Sequence, residues 1–432
     1  MLQVYNTLGR SLEVFKSLQE RKVKMYTCGP SVYQRPHIGN YRTFLYEDIL
    51  HRYLEYLGYQ VERTLNLTDI EDKAIAQAVK EGKTLRELTD NVAEQFFEDM
   101  EKLRIKPPTY VPRSSTSVDQ AVQLIIALLE KGYAYWDGGN VFYDPLKFRD
   151  FGRLYGLDMS RWPKKKRHFR KDTYPGVQWN LGDFILWHGY RPGDPFFLDT
   201  EIGRGRPAWN VQDAAMSTKH LGSHIDVCCG GIDNLYRHHD YTIAVVEAVY
   251  GVEYAHYWLY GEHLLVERKK MSKSKGNVVY LDDLLREGFR PEHVRFHLIY
   301  RHYRRKLNFT RYGLREASER LDEFQQMARS FEGEQPCSNS SNKSALDLIA
   351  SITKRFEDSM NNDLDVKHAF DGLFSTMSKL YALKKKGGLG KDELHRITQA
   401  LRMVDGVIQC LQASPCEPSS IRNETNDLTK SY

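Results

Sequence analysis

The sequence predicts an α/β fold, in which a parallel sheet with crossover helices is split by an insertion and followed by a helical region. Val23 to Cys28 is a short apolar run, and apolar residues then recur at helical spacing from Tyr41 to Leu57. The stretch GYQVERTLNLTDIEDKAI repeats this order of strand, loop and helix, and HIDVCCGGID begins a further unit much later in the chain. Because such repeated units build parallel sheets, a Rossmann-like domain is predicted.

This element order divides the chain into successive segments. The stretch between the two halves of the sheet is rich in Tyr, Trp, Gly and Pro, which indicates an insertion, and EGEQPCSNSSNKS indicates a polar linker. The predicted boundaries are 1–110 for the first half of the Rossmann-like domain, 111–199 for the connective insertion, 200–260 for the second half, 261–331 for a stem-contact region that contains KMSKS, 332–344 for the linker, 345–412 for an all-α helical bundle and 413–432 for a disordered tail.

Composition narrows the class of protein without identifying it. The 432 residues are 41% apolar, and 62 basic against 57 acidic residues give a formal charge of +5, which many enzymes share. The six cysteines are too sparse for a disulfide framework, so reduced thiols are expected. Met1 to Arg10 resembles no leader, and no apolar run of about 18 residues occurs. We therefore expect a cytoplasmic protein with neither a membrane nor DNA as a partner.

The sequence PHIGN, from Pro36 to Asn40, lies between the first predicted strand and its helix. The amides at the start of a helix, together with a histidine, suit contact with a polyphosphate. A tripeptide such as His-Ile-Gly is common, however, and an ordinary turn with a capping role is the alternative. The motif alone predicts little.

A second motif, KMSKSKGN, extends from Lys270 to Asn277. It places Lys270 and Lys273 three residues apart in a Ser/Gly-rich loop, which suits mobile cationic contacts to the β- and γ-phosphates as charge builds on a leaving pyrophosphate. The alternative is an exposed charged loop. PHIGN and KMSKS in one α/β chain predict a phosphate-binding function much more strongly together than either does alone.

Taken together, these motifs resemble those of the class I aminoacyl-tRNA synthetases, and within that class they are most similar to the cysteinyl-tRNA synthetases. The resemblance extends from about Val4 to Leu411. The stretches that carry it are MYTCGPSVYQRPHIGNYRTF, NLTDIEDKAI, GRGRPAWNVQDAAM, CCGGIDNLYRHHD, GEHLLVERKKMSKSKGN and MNNDLDVKHAFDGL.

The resemblance implies an ATP-dependent ligase that uses Mg²⁺. An aminoacyl-adenylate forms with loss of pyrophosphate, and the acyl group then moves to the terminal ribose of tRNA. The roles that the resemblance implies are phosphate contacts from His37 and Asn40, transition-state stabilisation by Lys270 and Lys273, further ATP contacts from Met271 and Ser272, and adenosine binding by Gly230, Gly231 and Asp233. Asn40 stands in place of a family histidine, so it keeps an N–H donor but carries no positive charge.

The amino-acid pocket implied by the resemblance consists of Cys28, Gly29, Thr68, Trp209, Asp213 and His238. The family holds a zinc ion there with two cysteines, a histidine and a glutamate, and zinc strongly favours a thiolate over a hydroxyl. Here Cys28 and His238 match that pattern. Asp213 takes the place of the second cysteine and Thr242 the place of the glutamate, so the usual site is incomplete.

Three interpretations of this pocket remain open. In the first, Cys228 joins Cys28, Asp213 and His238 around a metal ion. In the second, no zinc binds, and Asp213 with His238 forms a polar pocket for a different amino acid that carries a hydrogen-bond donor or a positive charge. In the third, Cys28 and Cys228 are buried cysteines without a special role.

The acceptor is expected to be tRNA. The basic run KKKRHFRK and the run RHYRRK are candidate RNA-binding segments, and DLDVKHAFDGL resembles the helical bundle of the family. We expect the extra anticodon-reading domain of many cysteinyl enzymes to be missing, so a small-molecule amine is an alternative acceptor. A nucleotide-binding module without catalysis is the second alternative, and a monomer is expected.

Overall fold

A computed structural model describes residues 1–162, 168–169, 182–271, 276–332 and 343–412. The helices are α1 (Ile38–Tyr56), α2 (Asp72–Glu81), α3 (Leu85–Lys102), α4 (Val118–Glu130), α5 (Trp209–Leu221), α6 (Asp240–Tyr250), α7 (Leu281–Arg286), α8 (Pro291–Tyr300), α9 (Arg311–Ser330), α10 (Lys343–Met360), α11 (Val366–Lys385) and α12 (Lys391–Ile408). Within these described ranges, no helix is long and apolar enough to cross a membrane. The predicted domain boundaries, monomeric state and cytoplasmic location stay predictions.

Among the described residues, the strands fall into four sheets. They are β1 (Gln3–Asn6), β2 (Ser11–Val14), β3 (Lys22–Thr27), β4 (Gln60–Leu65), β5 (Ala134–Asp137), β6 (Asn140–Tyr143), β7 (His168–Phe169), β8 (Asp183–Gly189), β9 (Leu198–Thr200), β10 (Gly203–Pro207), β11 (Ile225–Gly231), β12 (Ala255–Gly261), β13 (Leu264–Val266), β14 (Lys269–Lys270) and β15 (Leu307–Phe309).

The central sheet is fully parallel and has the strand order β12-β11-β3-β4. Helix α1 connects β3 to β4, and α6 connects β11 to β12. The chain therefore proceeds from β3 towards one edge of the sheet and from β11 towards the other. Ligands of such sheets bind at this switch point, outside the carboxyl ends of the two central strands. The predicted α/β fold with a parallel sheet is confirmed.

The insertion forms a separate antiparallel sheet, β5-β6-β8-β10-β9, with β7 paired to β8. Its strand β10 lies in the range predicted for the second half of the Rossmann-like domain. Helix α4 packs against α5 and α6 of that domain. The insertion and the parallel sheet therefore share one hydrophobic core. This core includes Leu128, Phe184 and Trp258.

The helical region packs against the opposite side of the parallel sheet. Helices α10 to α12 share one hydrophobic core with α1 and α8. An ion pair between two buried side chains, one on α1 and one on α8, also joins these helices. Arg295 donates to Asp48 Oδ2 at 2.6 Å and to the carbonyls of Leu103 and Ile408. The predicted helical region after the sheet is confirmed.

Candidate active site

A cleft of about 880 Å³ opens at the switch point between β3 and β11. Its walls are the ends of these two strands, the start of α1, and the segment that contains Lys270 and Met271. The PHIGN and KMSKS motifs, which are distant in sequence, therefore meet in one cavity.

The start of α1 is organised by the two polar residues of PHIGN. Asn40 Oδ1 accepts a hydrogen bond from the backbone N–H of His37 at 2.9 Å and so caps the helix. This contact leaves the amide Nδ2 of Asn40 as the donor that can face the cleft. Burial lowers the pKa of His37, so its imidazole is neutral at pH 7. The capping role and a role in phosphate contact are therefore compatible.

The glycine turn at the end of β11 is held from two sides. Tyr46 donates from its hydroxyl to the Gly230 carbonyl at 2.8 Å and accepts from the Gly230 N–H at 3.1 Å. On the other side, the Gly231 N–H donates to Asn234 Oδ1 at 2.9 Å. A Cβ atom at Gly230 would lie 3.0 Å from both Asn234 Oδ1 and His239 Cε1, so a larger residue has little room.

The KMSKS segment reaches the cleft through Lys270 and Met271. Lys270 Nζ lies 3.4 Å from Asp233 Oδ1, and His263 Nε2 lies 3.5 Å from the same oxygen. Met271 is buried against Gly39, where a Cβ atom would lie 2.7 Å from Met271 Cε. Ser272 and Lys273 lie outside the described residues, so their predicted contacts stay predictions.

Three residues predicted for the amino-acid pocket form a compact cluster. The ligand atoms of Cys28, Asp213 and His238 all lie within 4.8 Å of one another. His238 Nδ1 lies 2.9 Å from Asp213 Oδ2, and Cys28 Sγ lies 3.9 Å from that oxygen. The Trp209 ring packs on His238 with centroids 4.4 Å apart. The end of β3, helix α5 and the turn just before α6 thus bring together side chains from three parts of the chain.

Gly29 and Thr68 line the same pocket, and Asn66 connects them to the cluster. Asn66 Oδ1 accepts from the Gly29 N–H at 2.8 Å, and its Nδ2 lies 3.3 Å from Asp213 Oδ1 and 3.5 Å from Thr68 Oγ1. A Cβ atom at position 29 would lie 1.7 Å from the Asn66 carbonyl oxygen. Only glycine therefore fits between β3 and this residue.

The proposed four-residue metal set, which adds Cys228 to this cluster, stays a prediction. Cys228 is not part of the cluster; its Sγ lies 4.0 Å from both ring nitrogens of His239, which donates to or accepts from the Tyr260 hydroxyl at 2.6 Å. The side chain of Cys228 packs in the core beside β12, because the sheet register places it opposite Trp258. Thr242, at the position of the family's glutamate, is fully buried, and its hydroxyl donates to the His238 carbonyl at 2.9 Å.

Comparison with known proteins identifies the family. Residues 14–319 match the family described as "tRNA synthetases class I (C) catalytic domain". The chain belongs to this family. It is therefore an aminoacyl-tRNA ligase of class I, and the resemblance predicted from the motifs is confirmed.

Relatives of this synthetase are similar over most of its length. The cysteine–tRNA ligase of Brachyspira hyodysenteriae is 34% identical over 99% of this chain and 90% of its own. That of Chlamydia pneumoniae is 37% identical, with 97% and 89% covered. That of Pyrococcus furiosus is 41% identical, with 73% and 65% covered.

Solved structures show the same fold at low identity. The methionyl-tRNA synthetase of Mycobacterium tuberculosis in complex with methionyl-adenylate superposes with a TM-score of 0.64 at 14% identity, covering 90% of each chain. The ternary complex of LeuRS with tRNA and LeuAMS from Agrobacterium radiobacter K84 gives a TM-score of 0.65 at 12% identity, with 92% of this chain and 85% of that chain covered.

The synthetase site also contains residues that the sequence analysis missed. Asn66 and Asn234 connect its subsites, and no motif spacing distinguishes them from other polar residues. Arg237 lines the cleft, is buried, and adopts φ 71°, which is unusual for a residue with a side chain. Glu71 lies near His238, and burial raises its pKa to about 7. In the sequence, the signal that could have identified Arg237 and Glu71 as site residues is their position next to His238 and shortly after Thr68.

Proposed function

We propose that this synthetase activates cysteine with Mg-ATP and transfers the cysteinyl group to tRNA. The observation that carries the proposal is the placement of the Cys28, Asp213 and His238 cluster in the same cleft as the start of α1, the glycine turn and Lys270. The relatives at 34–41% identity are named cysteine–tRNA ligases, which supports the same substrate.

The nucleotide occupies the side of the cleft formed by α1 and the glycine turn. Amides at the start of α1 and the Nδ2 donor of Asn40 face the phosphates, where the helix dipole favours negative charge. His37 is neutral, so it acts as a hydrogen-bonding group and not as a cation. Gly230 and Gly231 admit the backbone close to adenosine, and the exposed carboxylate of Asp233 accepts from the ribose hydroxyls.

Adenylate formation begins when a carboxylate oxygen of the amino acid attacks the α-phosphorus of ATP. The bond from that phosphorus to the bridging oxygen breaks, and pyrophosphate leaves with the electron pair. Lys270 and Lys273 offset the charge that builds on the leaving group, together with Mg²⁺. Met271 packs against Gly39 and so orients this lysine-bearing segment towards the phosphates. A ribose hydroxyl of tRNA then attacks the acyl carbon, and AMP leaves.

The donor set of the amino-acid pocket fits Zn²⁺. A thiolate, a carboxylate and an imidazole are all zinc ligands, and three protein ligands leave one position for a substrate atom. Cys28, Asp213 and His238 would hold the ion, which when bound supplies a preference for a thiolate over a hydroxyl. Trp209 packs on His238 and Asn66 contacts Asp213, so neighbouring side chains restrict the orientation of both ligands.

A second candidate is activation of a different amino acid without zinc. Its supporting observation is the 2.9 Å separation of His238 Nδ1 from Asp213 Oδ2, which is a hydrogen-bond distance. Two nitrogen or oxygen ligands of tetrahedral zinc lie about 3.3 Å apart. In this case the paired Asp213 and His238 side chains bind a substrate that carries a donor or a positive charge.

The acceptor tRNA contacts the exposed basic residues of the stem-contact region. Arg301, Arg305 and Lys306 are exposed, whereas Arg304 is tied to Asp363 at 2.5 Å and stacks over the Tyr5 ring. Arg304 therefore has a structural role. The run KKKRHFRK, which was also predicted to bind RNA, lies almost entirely outside the described residues.

The test is ATP–pyrophosphate exchange with each of the twenty standard amino acids, with metal content measured on the same sample. Exchange with cysteine alone and about one zinc per chain supports the proposal. Exchange with another amino acid, without zinc, supports the second candidate. Absence of exchange with every amino acid contradicts both. The matched variant Cys28→Ser keeps the size of the side chain and is expected to lower both zinc content and exchange with cysteine.

A further inference from the structure

One side chain, Asn234, contacts both halves of the active-site cleft. Its Oδ1 accepts from the Gly231 N–H at 2.9 Å, in the glycine turn assigned to adenosine. Its Nδ2 donates to Cys28 Sγ at 3.3 Å, in the amino-acid pocket. A single amide group therefore connects the two subsites directly.

The surroundings of Asn234 fix the orientation of its amide. Because the Gly231 N–H can only donate, the group facing it must be Oδ1, and Nδ2 then faces the sulfur. Gly230 packs on the same side chain, since a Cβ there would lie 3.0 Å from Oδ1 and 3.2 Å from the Cβ of Asn234. Tyr46 holds Gly230 from the other side. Movement of the glycine turn therefore displaces the amide that contacts Cys28.

We propose that Asn234 is a positioning residue that couples the nucleotide subsite to the amino-acid subsite. A change at Cys28 then alters nucleotide affinity, and by linkage the nucleotide and the amino acid alter each other's affinity by the same factor. The inference rests on the proposed function for the identity of the two subsites. A backbone contact, from the Cys28 N–H to the Cys229 carbonyl at 3.2 Å, also joins the strands, but no side-chain substitution removes it.

A double-mutant cycle tests this coupling without relying on catalysis. The dissociation constant of the non-hydrolysable analogue AMPCPP is measured by calorimetry for the wild type, Cys28→Ala, Asn234→Ala and the double variant. Cys28→Ala is expected to weaken AMPCPP binding by about threefold in the wild type, a modest coupling for groups in contact. In the Asn234→Ala background the same change is expected to have an effect of less than about 1.5-fold.

Two further variants make the result specific. Asn234→Asp keeps an acceptor for the Gly231 N–H, removes the donor to Cys28 and adds a negative charge. Because the charge is present with and without Cys28, this variant should also abolish the effect of Cys28→Ala, and it replaces Asn234→Ala if that variant does not fold. Asn91→Ala removes an exposed amide on α3, and Cys28→Ala should keep its full effect there. Zinc content is measured throughout.

Equal weakening by Cys28→Ala in the wild-type and Asn234 backgrounds overturns the coupling. It leaves the proposed function intact, because AMPCPP still binds. If the wild type does not bind AMPCPP, the proposed function fails and the coupling fails with it. If Asn234 had only a structural role, the effects of Cys28→Ala and Asn234→Ala on AMPCPP affinity would be additive, since the loss of local packing does not depend on Cys28.

Discussion

Met271 lies against Gly39 so closely that a Cβ atom at Gly39 would be 2.7 Å from Met271 Cε. One residue belongs to PHIGN and the other to KMSKS, so the two motifs of the synthetase are in direct contact. The same Cβ would lie 3.0 Å from the His37 ring. Glycine at this position therefore allows the lysine-bearing segment to approach the start of α1.

Gly39→Ala is expected to lower ATP–pyrophosphate exchange by about 10- to 100-fold, because displacing Met271 misplaces the lysines relative to the phosphates. Met271→Ala in the same protein should restore part of the activity by making room for the methyl group. Gly406→Ala is the matched control, since a Cβ at that helical glycine meets no atom within 4 Å. It should leave exchange unchanged. Full activity in Gly39→Ala contradicts the proposed role of this contact.

Lys273→Ala is expected to lower exchange by about 10²-fold or more, since a charged contact to the leaving pyrophosphate is lost. Lys269→Ala, which removes an exposed lysine from strand β14, should change the rate by less than about threefold. Exchange assays at saturating ATP and amino acid check the difference. Equal rates in the two variants would remove Lys273 from the mechanism.

Asp48→Asn is expected to destabilise the protein by about 3–5 kcal/mol, because it leaves the buried Arg295 without its anionic partner. Burial alone would raise the pKa of Asp48, but Arg52, Arg295 and Arg63 hold it well below the usual range. A lowered carboxyl pKa stabilises the fold above the unfolded value of about 4, and this contribution is lost as the pH falls further.

Denaturant unfolding from pH 7 to pH 3 measures this effect. The Asp48→Asn variant should lose less stability than the wild type as the solution becomes acidic. Asp358→Asn is the control, because Asp358 is exposed and its contact with Lys354 is 3.8 Å long. It should change stability by less than about 1 kcal/mol. An identical pH dependence in the wild type and Asp48→Asn contradicts the prediction.

Asp213→Cys is expected to raise zinc affinity by about tenfold or more, since a second thiolate suits zinc better than a carboxylate does. Asp213→Ala should lower zinc affinity and zinc content, because one of the three donor atoms is lost. Competition with a chelator of known affinity measures both changes. If zinc content is the same in all three proteins, Asp213 is not a ligand.

Replacing Arg301, Arg305 and Lys306 with alanine is expected to reduce the slope of log K against log salt for tRNA binding by about 2 to 3, since each phosphate contact contributes about 0.7 to 0.9. Filter binding at several salt concentrations gives the slope. The change should leave amino-acid-dependent exchange unaltered, because these exposed residues do not line the cleft.

A control with the same change in charge replaces Lys16, Arg21 and Lys22. These exposed residues lie at or before the amino end of β3, at the edge of the sheet opposite the cleft. Their substitution should leave the salt slope within about 0.5 of the wild-type value. A slope that falls equally in both triple variants would indicate non-specific attraction to RNA.

Much of the fold was predictable because its signals are local. Val23 to Cys28 and HIDVCCGGID are apolar runs followed by turns and helices, and they became the two central strands of the parallel sheet. The helices after residue 345 were predicted in the same way. By contrast, no local signal shows where the Cys228 side chain lies, because strand register and packing against His239 decide its position.

The family, the parallel-sheet fold and the residues of the two phosphate motifs were predictable from the sequence, because each motif lies next to a recognisable strand, turn or helix. Other features depend on the tertiary structure, namely the distances within the cluster of Cys28, Asp213 and His238 and the contact of Asn234 with Cys28. Such contacts join segments that are far apart in sequence, as Cys28 and Asn234 are. Sheet register and helix packing select such pairs, and no local pattern of residues encodes them.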